Sequence, residues 1–138
     1  MKALSGYAEW FWLMAKNWKD VENRNWPLPK SITRDQFPYR IYLHASLTRA
    51  SVSDIQVMRS HLTRAQVLEF EAVDWDRYRG HIIGEISIVD EITLYDIGVP
   101  ASRSPWLFGP YGWVVKDGVL YDEPIRYKGQ LNFFEVQL

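Results

Sequence analysis

The stretch HIIGEISIVDEITLYD, residues 81–96, is crowded with Ile, Val and Thr and shows no helical spacing of its apolar residues. β-Branched side chains pack well on a pleated surface, so the stretch reads as one long or bent strand, with Gly84 as a site for a bulge. Its neighbours on either side decide what kind of sheet it belongs to. Upstream, residues 51–76 read as helical, with Ile55, Met58, Leu62 and Ala65 on one face and Val67, Phe70 and Val73 continuing it. Before that, RIYLHASL, residues 40–47, reads as a strand, and the three prolines of NWPLPKSITRDQFP, residues 25–38, mark a long loop. The first helix starts near Tyr7 with Ser5 or Gly6 as its cap, and Phe11, Met14, Trp18 and Val21 form its buried stripe. Downstream, GWVVKDGVLYDEPIRY, residues 112–127, reads as two strands turning at Asp117-Gly118, and LNFFEVQL, residues 131–138, closes the chain as a strand with Leu131, Phe133 and Val136 alternating. The expectation is one α+β domain over residues 1–138, a small β-barrel with helices packed on it.

Composition narrows the function classes. The chain has 138 residues, enough for one domain with a real core, and its 47% hydrophobic and 24% charged residues argue against global disorder. It has no cysteine, which excludes disulfides and thiolate chemistry. No apolar run reaches the length of a membrane span and the first residues lack the apolar core of a signal peptide, so a soluble, cytoplasmic protein is expected. The net charge of −1 argues against a large surface tracking many phosphates, but it is unevenly spread. Residues 1–70 hold ten Lys and Arg against six Asp and Glu, and residues 71–138 hold six against eleven. That asymmetry suits a local anion site, or simple scatter of solvated charge.

The common catalytic signatures are missing. The three histidines, 44, 61 and 81, have no metal-ligand spacing, and neither a P-loop nor a GxGxxG occurs, so no metal and no cofactor is expected. His44 in a strand reads as a hydrogen-bonded core residue more readily than as a base. The run KDVENR, residues 19–24, is more specific. Extended, it places Glu22 and Arg24 on one face, where they can hold each other, with Lys19 turning toward the same spot from the end of the helix. A lysine beside a fixed carboxylate in a desolvated cleft has its pKa tuned and can act as a base or bind an anion; the alternative is a solvated charge run. The segment SPWLFGPYGWV, residues 104–114, sets bulky rings on a backbone stiffened by proline and broken by glycine. Trp106, Phe108, Tyr111 or Trp113 can offer a flat face to a base, with Gly109 and Gly112 allowing close approach, or else they plug the end of the barrel. Trp113, leading into Val114 and Val115, is the expected core residue among them.

Together these pieces resemble the ASCH domain family, whose fold is PUA-like. The resemblance runs along most of the chain: MKALS (1–5) with Trp10, KDVENRNWP (19–27) as the Lys-x-x-Glu-x-Arg signature followed by Trp-Pro, YLHAS (42–46), IIGEISIVD (82–90), SPWLFGPYGWV (104–114) and PIRYKGQLNFFEV (124–136). Where the family often carries Arg-Gln-Pro-Trp, this chain has Tyr7-Ala8-Glu9-Trp10. The resemblance implies a PUA-like barrel with a cleft lined by the Lys-x-x-Glu-x-Arg segment, binding RNA or a modified nucleoside. The expected ligand-binding residues are Trp10, Lys19, Glu22, Arg24, His44, Ser46, Ser104, Trp106, Phe108 and Tyr111. Some small members hydrolyse the acetyl amide of N4-acetylcytidine, and the corresponding enzyme reading makes Lys19 and Glu22 catalytic, although a Thr stands in those hydrolases where this chain has Glu22. A metal-independent ribonuclease using the same residues and a protein-interaction domain built on the aromatic loop are the remaining alternatives.

Overall fold

The computed structural model describes residues 1–96 and 104–138. Its strands are β1 (Lys2–Gly6), β2 (Val21–Arg24), β3 (Tyr39–Ala45), β4 (His81–Thr93), β5 (Tyr111–Arg126) and β6 (Phe133–Glu135), and its helices are α1 (Ala8–Ala15), α2 (Val52–Ser60) and α3 (Arg64–Glu71). The strands form one sheet in the order β2-β5-β4-β3-β1-β6, antiparallel except for the β1–β3 pair. It curls into a half-barrel. Side chains join its two ends: a guanidinium N–H of Arg24 on β2 donates to the carbonyl of Ser5 on β1 at 3.3 Å, and Trp113 on β5 stacks on Phe133 on β6 at 5.5 Å. Among the described residues no helix is long and apolar enough to cross a membrane.

β4 is the single bent strand that residues 81–96 foretell. Its pairing slips at Ile82/Gly84 against β5 and at the facing Leu43/His44 step of β3, a bulge that tightens the curl. The expected hairpin at Asp117-Gly118 does not form, and β5 runs straight through it. Ser87 pairs with Lys116 and Glu85 with Val119, which leaves one surplus residue on β5, and Asp117 takes it up at φ 57°. A bulge with a left-handed residue uses the same Asp-Gly pair as a tight turn, and β4 lying alongside both halves decides between them.

α1 stops earlier than its apolar spacing suggests. Asn17, at φ 61°, turns the chain out after Ala15, so Trp18 lies beyond the helix and Val21 belongs to β2. Tyr7 is the residue before the helix and makes no side-chain cap, while Ser5 and Gly6 are already strand. Every residue of α1 except Trp10 is buried, because the helix fills the concave side of the sheet against β3, β4 and β5. Asn17 then clamps the bulge: its amide accepts from the Gly118 N–H at 2.7 Å and donates to the Gly118 carbonyl at 2.9 Å.

The helical region after residue 51 is two helices and a 3-10 turn rather than one element. Ser51 caps α2, and a Thr63–Gln66 capping box starts α3. Only Met58 and Phe70 of the two helices are buried; Phe70 and Trp75 pack edge-on against Trp12 at 6.0 and 5.7 Å. The last strand is shorter than expected: Phe133 and Phe134 pack on opposite sides of it, and Leu131, before it, is exposed.

The bulge makes a specific demand on residue 118. A Cβ there would lie 2.5 Å from the Met14 carbonyl oxygen, which is backbone and cannot yield cheaply. Gly118→Ala is expected to cost about 1–3 kcal/mol in urea unfolding. Asp117→Gly, which relieves a positive φ, is expected to stay within about 0.5 kcal/mol of wild type.

Candidate functional site

β2 is short, but two charged side chains of one cluster stand on it, Glu22 and Arg24. Antiparallel pairing sets Glu22 opposite Trp113 and Arg24 opposite Tyr111. Glu22 and Arg24 share a face, as their spacing demands, and the guanidinium donates twice to one carboxylate oxygen, at 2.7 and 3.0 Å. The Lys19 ammonium approaches the other oxygen at 3.7 Å, with only 2% of its side chain exposed. It also donates to the Val21 carbonyl and lies 5.2 Å from the centre of the Trp10 ring. Burial pushes the Lys19 pKa down from its ordinary value, and the Glu22 carboxylate opposes that shift. Arg24 lies over Trp113, 5.7 Å from its ring centre. The alternative of a solvated charge run is therefore set aside for Lys19 and Glu22, both of which are buried.

The aromatic loop meets this cluster through Asn23, which alternation turns to the other face of β2. Its amide donates to the Trp106 carbonyl at 2.9 Å and accepts from the N–H groups of Phe108 and Gly109 at 2.8 and 3.1 Å. Trp106 is only 4% exposed. Trp10 meets it edge-on at 6.4 Å, and His61, at the end of α2, lies against it at 4.6 Å with the planes 31° apart. Trp106 is thus a plug, and so is the buried Trp113, as expected of it. Phe108, 40% exposed, is the loop ring left open to a ligand. Ser104 bonds the Asp20 carboxylate and supports the Trp106 N–H, while Tyr111 sits within the β2–β5 ladder. The glycines serve the chain's own packing: a Cβ on Gly109 would strike Leu94, and one on Gly112 would strike Leu107 and Val21.

A cleft of about 1400 Å³ opens beside these groups. Trp10, Lys19, Glu22, Arg24, Phe108, His44 and Ser46 line it, whereas Ser104, Trp106 and Tyr111 do not. Those three act behind the wall, for the reasons just given. His44 is buried and doubly bonded. Its Nε2 faces the Tyr127 carbonyl at 2.6 Å, and since a carbonyl only accepts, Nε2 carries the proton and Nδ1 accepts from the Ser5 hydroxyl at 2.8 Å. Burial lowers the His44 pKa; the Tyr127 bond opposes this, and nearby His81 adds to it. The Ser46 hydroxyl is buried at the cleft without a hydrogen-bond partner among the described residues.

Several lining residues escaped the sequence reading. Trp26, 47% exposed, is the most open indole among them. The pattern placed it after the Lys-x-x-Glu-x-Arg segment, but nothing in a proline-rich loop says which way a ring turns. Arg79, Arg126 and Lys128 also line the cleft, from a half of the chain that is acidic in sum. With Lys19 and Arg24 they make five cations against two carboxylates, Glu22 and Asp76. The cleft therefore pairs open aromatic faces with an excess of positive charge. Among the described residues no His, Asp and Glu side chains converge as a metal site. A scan of the chain against protein-family models finds no match, and a search of curated proteins finds none.

Glu22→Gln would leave a buried ammonium without its carboxylate, and the expected loss is about 3 kcal/mol or more in denaturant unfolding. A second expectation concerns pH. The folded pKa of His44 lies below its unfolded value of 6.5, so the unfolded chain takes up a proton first as pH falls. The stability held above that value is lost on acidification toward the folded pKa. In His44→Gln, which keeps an N–H donor, the part of the decline that sets in as pH falls below the unfolded value is expected to disappear from the urea midpoint.

Proposed function

We propose that this chain is a nucleobase-binding domain of the ASCH type, with a PUA-like fold, taking an RNA base or a free modified nucleoside into the cleft beside Lys19, Glu22 and Arg24. The observation that carries the reading is the juxtaposition of open rings with a buried, ordered polar row. Trp26 and Phe108 offer faces on which a base stacks, a contact worth about 1–3 kcal/mol per base and indifferent to which base it is. The polar row supplies direction. Glu22 accepts from an exocyclic amine, Arg24 donates to a ring acceptor, and the unpartnered Ser46 hydroxyl offers one further bond. A cleft rather than a groove fits one base or a few, which agrees with the small net charge. The Lys-x-x-Glu-x-Arg segment at the cleft wall supports the family reading.

One observation favours a second reading, hydrolysis of an acetylated cytidine. Lys19 has its basicity lowered by burial and stands next to a carboxylate, the arrangement a general base needs. Against it, the ammonium is nearly closed off, and its contacts are the chain's own Val21 carbonyl, Glu22 and Trp10. Metal-independent cleavage of RNA would draw on the same two residues and meets the same obstacle.

Titration with cytidine, adenosine and N4-acetylcytidine, read by tryptophan fluorescence with chromatography of the products, tests the proposal. Saturable quenching without product is expected, and Trp26→Ala is expected to weaken binding about tenfold or more. Cytidine released from the acetylated compound, and lost in Lys19→Ala, would move the assignment to hydrolase. Absence of binding by all three nucleosides would end the base-binding reading.

A further inference from the structure

Lys19 and Arg24, the cations of the Lys-x-x-Glu-x-Arg segment, are already engaged by Glu22. Others remain. β4 and β5 pair with His81 opposite Arg126, and the Tyr127 N–H donates to the Gly80 carbonyl at 3.2 Å, carrying the contact one step past the end of β5. His81 and Arg126, directly opposed across the β4–β5 pair, share a face, and Arg79 and Lys128 lie just outside the two strand ends, on either side of the Gly80–Tyr127 contact. All four line the cleft.

Their existing bonds show what each has to spare. Arg126 and Lys128 are exposed and make no side-chain hydrogen bond or ion pair among the described residues. Arg79 is anchored through one nitrogen on the buried Glu9 at 2.8 Å, and its Nε is buried without a partner. His81 donates Nδ1–H to the Arg79 carbonyl at 2.8 Å, which leaves Nε2 uncommitted. Glu9 answers the Arg79 charge from behind the wall, and the one carboxylate in the lining besides Glu22, Asp76, makes no ion pair with Arg126 or Lys128. Unpaired like charges gathered on one side of a cleft repel one another, and a multivalent anion relieves this. Two arginines and a lysine at the end of a two-stranded ladder match the several oxygens of a phosphate, which accepts from forked donors.

We propose that the Arg79–His81/Arg126–Lys128 row is a phosphate subsite, so that the cleft takes a nucleotide, phosphate and base together, rather than a bare nucleoside. The proposal rests on the base-binding reading for its second half, and on the row alone for its first.

The test compares cytidine, its 5′- and 3′-monophosphates, cytidylyl-cytidine with its single internal phosphate, and inorganic phosphate, by calorimetry at low and moderate salt. The proteins are wild type and Arg126→Ala/Lys128→Ala, both sites being exposed, with thermal unfolding confirming that the double variant folds. At least one phosphorylated compound is expected to bind about tenfold or more tightly than cytidine, an advantage that shrinks with salt and falls to about one in the double variant. Preference for a monophosphate would identify a free nucleotide as the ligand, and preference for the dinucleotide a strand. Inorganic phosphate that binds wild type but not the double variant would support the row even if no base bound. Equal affinities for cytidine and all its phosphates in wild type would overturn the subsite and leave the base-binding reading standing. Binding by none of the probes would overturn both.

Discussion

A carboxylate held between two cations and out of water governs how the two ends of this sheet come together. Removing Glu22, Lys19 and Arg24 from solvent costs several kcal/mol per charge, recovered only when each finds its opposite and its remaining hydrogen-bonding groups are met. Here the arrangement nearly closes: Glu22 uses both oxygens, Lys19 adds the Val21 carbonyl, and Arg24 reaches across to the Ser5 carbonyl on the far end of the sheet. The balance is one anion for two cations. The Lys19 ammonium lies by Trp10 and the Arg24 guanidinium over Trp113, and the Asp20 carboxylate also acts on Lys19.

The same row explains why the aromatic loop can be irregular and still be held. β2 has two faces; one is spent on charge and the other, through Asn23, binds three backbone groups of the loop. Trp106 is then fixed by Trp10 on one edge and by the flat ring of His61 from the end of α2. The helical insertion thus braces the loop from behind, and the ring left open is Phe108, not the buried indole.

Much of this was legible in the chain. Alternation in residues 19–24 gives the shared face of Glu22 and Arg24, because that is local geometry, and the β-branched density of residues 81–96 gives the long bent strand. The misreadings came where one local signal serves two structures. Asp-Gly marks a tight turn and a bulge alike, and only the presence of β4 along both halves of β5 separates them. Apolar spacing carried α1 past Ala15 because Trp18 and Val21 are buried too, in a different element. The basic row was invisible for another reason. Arg79 and Lys128 are 49 positions apart in a half of the chain whose summed charge is negative, and only strand pairing makes them neighbours.

The surplus residue at Asp117 has a wider meaning for a strand that pairs with the charged β2 at one end and carries Arg126 of the cleft at the other. Tyr111 and Trp113 stand at the start of β5 and Arg126 at its finish, all on one unbroken run of peptide units. A strand has parity: gaining or losing a single residue reverses the outlook of everything past that point, unless a bulge absorbs it. Past Gly118 the register slips once more, residues 121–124 of β5 facing Ile83 alone on β4, so the orientation of the basic end is set by the His81–Arg126 pair beyond that second slip. A one-residue deletion at Val119 would leave every charge in the chain and reverse the strand only as far as that slip, which has residues to spare.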